Sequence, residues 1–173
     1  MKGRVTDPPA TIQEYKMDLP KRKANRLVNF DYSSHNYYFI TICTHEKKCI
    51  FGTPNKLNIY GQIAKKYIIG IQNAFTDITV DQYVVMPNHI HMILIVNESE
   101  ERKSNVSTVV GQYKMMVTKE IRKINPDCTV WQRSFHDHII RNQRSYYKIW
   151  EYVKYNHQKW MDDCYFIDNI DEM

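Results

Sequence analysis

The sequence predicts an α+β protein: a ferredoxin-like β-α-β-β-α-β antiparallel sheet with an additional C-terminal helix. Three observations predict it. Four runs rich in β-branched and aromatic residues alternate with two helical-period segments in that order. The second and third runs are separated only by Met86-Pro87-Asn88, a turn signal. A further amphipathic segment follows the fourth run. The 173 residues suit one domain, and 43% hydrophobic with 25% charged residues is too apolar for a disordered chain.

Residues 1–28 read as a basic leader, with Lys21, Arg22, Lys23 and Arg26 after a Pro8-Pro9 break. A solvated arm and an arm that touches phosphates fit it equally. Residues 29–161 form the predicted domain. Tyr37–Thr44 is its first strand, because β-branched and aromatic residues dominate it. Lys56–Phe75 is its first helix, with Ile59, Ile63, Tyr67 and Ile71 at helical spacing. Ile78–Val85 and His89–Val96 form a hairpin about the proline turn, and Asn97–Ser104 is a polar loop. Val106–Ile124 repeats Val109, Val110, Tyr113, Val117 and Ile121 on one helical face. Phe135–Arg141 is the last strand, and Ser145–Met161 the last helix. Its apolar stripe carries Tyr146, Ile149, Trp150, Val153 and Trp160. Residues 162–173, with Asp162, Asp163, Asp168, Asp171 and Glu172, read as an acidic tail. In this topology the first and third strands are central and both sheet helices share one face.

A net charge of +5 and a pI near 8.9 permit a nucleic-acid partner without demanding one. No apolar run approaches the ~18 residues of a membrane span, so no membrane role is expected. Residues 1–23 lack the apolar core of a secretory signal. The four cysteines form no C-x-x-C pair, and a cytoplasmic protein with reduced thiols is expected.

The chemistry-bearing feature is His89-Ile90-His91. Residues two apart on a strand share a face, so both imidazoles project together from a central strand, as half of a metal site or as two structural histidines. Tyr152 and Asn156, four apart, stack on one side of the last helix together with Lys148, Tyr155 and Lys159. That side is expected to face away from the helix's packing stripe. An Asn carbonyl is a hard ligand suited to Mg²⁺ or Mn²⁺, and a phenol beside cations can become a nucleophile.

The run from Tyr83 to Leu94, Tyr-Val-Val-Met-Pro-Asn-His-Ile-His-Met-Ile-Leu, resembles the signature of the single-tyrosine HUH transposases. Asp31-Tyr32-Ser33, the Tyr38–Thr44 strand, Phe51-Gly52, Trp131-Gln132 and the Asp137–Asn142 run agree with that family in order. Trp150 through Asn156 is similar to the tyrosine helix of its REP-associated subgroup. The resemblance covers residues 25 to 160, roughly. It implies His89, His91 and Asn156 as ligands of a divalent cation, Mg²⁺ or Mn²⁺, and Tyr152 as nucleophile. It further implies cleavage and rejoining of single-stranded DNA beside hairpins or palindromes, through a tyrosine joined to a 5′-phosphate. His157 stands where the subgroup usually has proline, so the helix is free to run on and His157 competes as a ligand. Tyr146, Tyr147 and Tyr155 stay open as nucleophiles on sequence grounds. Monomers and homodimers are both compatible.

Lys114 and Arg122 on the second helix, and Arg141, Arg144 and Lys148 near the last, are candidate DNA contacts. His136 and His138, a second His-x-His, read as structural or DNA-contacting. The competing reading from another class is a non-catalytic single-stranded nucleic-acid-binding module on the same fold.

Overall fold

The computed structural model describes residues 29–100 and 104–167; the leader and the end of the acidic tail lie outside the described residues. The sheet strands are β1 (Asn36–Cys43), β4 (Ile78–Val85), β5 (His89–Val96) and β6 (His136–Ile140), with the short hairpin β2 (Gly52–Thr53) and β3 (Lys56–Leu57) standing apart. The helices are α1 (Ile59–Ile69), α2 (Ile71–Ala74), α3 (Val106–Arg122) and α4 (Gln143–Tyr155). Strand order is β4-β5-β1-β6 with every pair antiparallel. This is the predicted ferredoxin-like arrangement, with β1 and β5 central.

Alternation gives the sheet two buried faces. Tyr38, Ile40, Ile42, Ile90, Met92 and Leu94 point toward α1 and α3, whose Ile63, Ala64, Ile68, Val109, Tyr113 and Val117 complete the main core. Ile93 and Ile140 point the other way, where α4 lays Val153 on them, flanked by Phe39, Val84, Tyr146, Ile149 and Trp150. His89 and His91 share that second face.

Asparagine caps start all three long helices. Asn58 accepts from the N–H groups of Tyr60 and Gly61, Asn105 from Ser107, and Asn142 from Ser145.

Three expected elements differ. The first helix does not begin at Lys56, because Lys56-Leu57 pair with Gly52-Thr53. Gly52 has φ +102, and a Cβ there would meet the Lys56 carbonyl at 2.5 Å. The same helix breaks at Gly70, after which α2 continues it. The last helix stops at Tyr155 rather than Met161, and a 3-10 segment, Asn156–Asp162, carries the chain on with a kink at Lys159. Trp160 therefore leaves the α4 stripe and packs on His89 and Phe166.

Candidate active site

β5 presents the two histidines. Residues Pro87 and Asn88 make the tight turn before it, closed by Met86 N–H to His89 O at 2.9 Å. The turn is tied to its surroundings: Phe51 N–H donates to the Pro87 carbonyl, and Thr44 donates twice to that of Asn88. His89 and His91 are 0% and 1% exposed, with ring centroids 4.5 Å apart.

Each ring is oriented through Nδ1. Asn88 Nδ2 donates to the Tyr165 carbonyl at 2.8 Å, so its Oδ1, 2.9 Å from His89 Nδ1, accepts from that nitrogen. His89 therefore carries its hydrogen on Nδ1 and leaves Nε2 bare, and this buried Nε2 has no hydrogen-bond partner. Thr41 Oγ1 lies 2.9 Å from His91 Nδ1, from the neighbouring central strand. Burial, and for His91 the neighbouring ring as well, pushes both imidazoles well below their usual pKa, His91 to about 3. Both are neutral near pH 7, the form that donates a lone pair to a metal.

α4 brings Tyr152 over this pair. Its hydroxyl lies 3.1 Å from His91 Nε2 and donates to Asp163 Oδ2 at 2.9 Å. Of the other tyrosines left open by the sequence, Tyr146 and Tyr147 are engaged elsewhere, whereas Tyr155 lines the same cleft as Tyr152. Tyr146 donates to Asp81 at 2.8 Å, Tyr147 accepts from Gln143 within its own helix, and Tyr155 lies against Lys154. Asp81 reaches Tyr146 from the bulge in β4.

Asn156 is 1% exposed; its amide donates to Asp163 Oδ2 at 2.6 Å while its buried Oδ1 has no partner. Tyr152 and Asn156 thus turn toward the sheet, not away from the packing surface as helical stacking suggests. The reason is that α4 rests on the sheet face that carries the histidines.

Asp163 is the residue that sequence reasoning missed. Assigned there to the acidic tail, it is instead 8% exposed, 4.0 Å from His89 Nε2, and held by the Tyr165 N–H. Burial would raise its pKa, but hydrogen bonds from Asn156, the Tyr165 N–H and the Tyr152 hydroxyl hold it below the usual carboxylate range. Burial and the Asp163 charge in turn push the Tyr152 phenol well above its ordinary value. The signal that could have found Asp163 was weak: an acid three residues after Trp160, directly before the apolar run Cys164-Tyr165-Phe166-Ile167.

His89, His91 and Asp163 each offer one ligand atom, all within 4.8 Å of one another. With two buried atoms unsatisfied, His89 Nε2 and Asn156 Oδ1, the residues fit a small cation. His157 is outside this group; it lines a separate cleft with Lys65 and Tyr83.

The five cationic residues singled out as DNA contacts divide. Lys114 and Arg122 sit on α3, across the sheet from the histidines. Lys114 Nζ donates to the carbonyls of Gln132 (2.5 Å) and Ser134 (3.3 Å), and Arg122 Nε to that of Cys128. The structure thus gives Lys114 the task of fastening the loop before β6. Arg141, Arg144 and Lys148 are exposed at α4, and Lys148 lines a cleft of about 380 Å³ with Tyr152, Lys159 and Asp163. His136 and His138 are exposed on the edge strand, on the face of Thr41 and Phe39 with which they pair.

A family model described as "Transposase IS200 like" matches residues 31–156. A Haemophilus influenzae protein described as uncharacterized is 32% identical over 177 residues, covering 90% of this chain and 98% of its own. A second protein of that organism, named "Putative REP-associated tyrosine transposase", is 23% identical and covers 73% and 72%. Among solved structures, "Structure of the REP associates tyrosine transposase bound to a REP hairpin" covers 78% of this chain and 73% of that one, at TM-score 0.56 and 19% identity, a likeness of fold. The family match ends at Asn156, so Asp163 lies beyond it.

Proposed function

The chain belongs to the IS200-like transposase family, and from that premise we propose that it cleaves and rejoins single-stranded DNA beside hairpin ends, with Tyr152 as nucleophile. The observation that carries this reading is the Tyr152 hydroxyl 3.1 Å from His91 Nε2, beside the bare Nε2 of His89. A REP hairpin is bound by the relative of similar fold, which supports a hairpin-bearing substrate here.

Tyr152 attacks the scissile phosphorus. Its oxygen bonds to the 5′-phosphate, the bond to the 3′-oxygen breaks, and that oxygen takes one proton from water and leaves as a 3′-hydroxyl, matching the one proton the phenol gives up. Asp163 Oδ2, already accepting the phenolic hydrogen, is the nearest acceptor for the proton released. The phosphodiester energy stays in the tyrosyl ester, so attack by another 3′-hydroxyl rejoins the strand without a nucleotide cofactor. His89 and His91, with Asp163 and Asn156, would hold a divalent cation, Mg²⁺ or Mn²⁺. Such an ion supplies Lewis acidity toward a phosphate oxygen and offsets the charge that now keeps the phenol protonated. Asn88 and Thr41 fix the ring orientations. Lys148 and Lys159, beside Tyr152, draw the polyanion into place.

The test uses labelled single-stranded hairpin DNA with Mn²⁺ or Mg²⁺ on a denaturing gel. Wild type forms a protein–DNA adduct and Tyr152→Phe forms none. An adduct that persists in Tyr152→Phe removes the assigned nucleophile; DNA binding with no adduct in wild type favours the non-catalytic module.

A further inference from the structure

A second cleft opens on the histidine face of the sheet, at the other end of α4. Its volume is about 560 Å³, and its lining includes Tyr37, Arg141, Asn142, Gln143, Tyr146 and Tyr147. That is within the range of about 300–1,000 Å³ usual for small-ligand sites.

Its walls are aromatic. Tyr146 meets the Tyr37 ring edge-on at 5.4 Å and the Tyr147 ring at 5.5 Å. Tyr146 is the fixed member, its hydroxyl tied to Asp81. Tyr37 and Tyr147 are 37% and 56% exposed, so ring surface is left bare on both sides of it. Exposed rings around a cleft are the recurring platform for unpaired bases, because every base has a π-face. Arg141 stands at the rim and Arg144 follows on α4, both exposed. Their charge matches a phosphate backbone and fits no apolar ligand.

The cleft is in line with the reacting groups. Tyr37 and Thr41 lie on the same face of β1, and Thr41 bonds His91. Four strand residues span about 13 Å, a gap that a single strand bridges in a few nucleotides. Lys148, one turn from Tyr152 and next in sequence to Tyr147, lines the cleft beside Tyr152.

We propose that this cleft is a stacking subsite for an unpaired base of the single strand, seated on Tyr37 and Tyr147 with Arg141 on a flanking phosphate. The inference rests on the DNA-cleaving function proposed above and adds the place where a base outside the reacting linkage is held.

The test measures binding of a fluorescent single-stranded hairpin oligonucleotide by anisotropy, in EDTA so that the DNA stays intact. Tyr147→Leu keeps apolar bulk and removes the ring; its affinity falls about 5- to 100-fold, while Tyr147→Phe stays near wild type. A series of oligonucleotides, each with one abasic position, locates the base. At one position the loss of the base weakens wild type as much as Tyr147→Leu does, and weakens Tyr147→Leu no further. Tyr147→Leu binding like wild type, or every abasic penalty unchanged in Tyr147→Leu, overturns the subsite. If wild type still forms the adduct in that case, the cleavage reading stands without it. If wild type binds no single strand and forms no adduct, both fall.

Discussion

Asn88 decides which lone pair His89 presents, while Thr41 holds the His91 ring in place. Asn88 can only accept from His89 Nδ1, since its amide nitrogen is spent on Tyr165. Asn88→Ala therefore frees the His89 tautomer, and affinity for Mn²⁺ measured by titration calorimetry drops about 10- to 100-fold, as for other partners behind a metal ligand. Lys114 is a second case. Its ammonium bonds the Gln132 and Ser134 carbonyls, so Lys114→Met lowers unfolding free energy by about 1–3 kcal/mol. The slope of log affinity against log salt for DNA stays unchanged, whereas a phosphate-contacting lysine would reduce it by about 1. The buried imidazoles add a pH effect. His91 titrates at about 3 when folded and near 6.5 when unfolded, so between those values the unfolded chain binds the extra proton. Stability is full above the unfolded value and falls as pH drops through that window. His89 is shifted the same way, by burial. Thermal melts in EDTA should show a lower Tm at pH 5 than at pH 7.5, and the double variant His89→Gln/His91→Gln should flatten the difference.

The α4 helix both completes a core and carries the phenol, so its packing and its chemistry are coupled. Val153 is fully buried on Ile93 and Ile140, one residue from Tyr152. Val153→Ala should cost about 1–3 kcal/mol in urea unfolding. Adduct formation by the folded fraction should fall further, because the helix loses its seat above the histidines. Its predicted apolar stripe was legible for Tyr146, Ile149, Trp150 and Val153, since 3.6-residue periodicity reports packing directly. It failed at Trp160. The chain tightens to 3-10 at Asn156, and periodicity carries no information across a change of helix type. Asp163 was hidden for the same reason: the turn that returns it to the site lies in irregular backbone, where no residue spacing encodes direction. The start of α1 was missed because the β2–β3 hairpin takes Lys56 and Leu57 for only two pairs, too few to write a period-2 signal.

At the scale of the whole molecule, the sheet separates two jobs. One face, with α1 and α3, holds the main core; the other holds α4, the histidines and both clefts. The order of strands and helices was readable because each run is long and differs from its neighbours in period, and right because the split β-α-β topology leaves few ways to pair four such strands. The division of the cations between the faces was not readable. A lysine on a helix looks the same whether it ties down a loop, as Lys114 does, or borders a cleft, as Lys148 does.

Tyr152 and the histidine pair come from one polypeptide, with the hydroxyl already within hydrogen-bond range of His91. On the proposed reading, one chain holds both the nucleophile and the histidine pair. Single-turnover adduct yield per mole of protein should then be constant across serial dilution, with rate first order in protein at saturating DNA. Mixing Tyr152→Phe with His91→Ala chains should restore nothing.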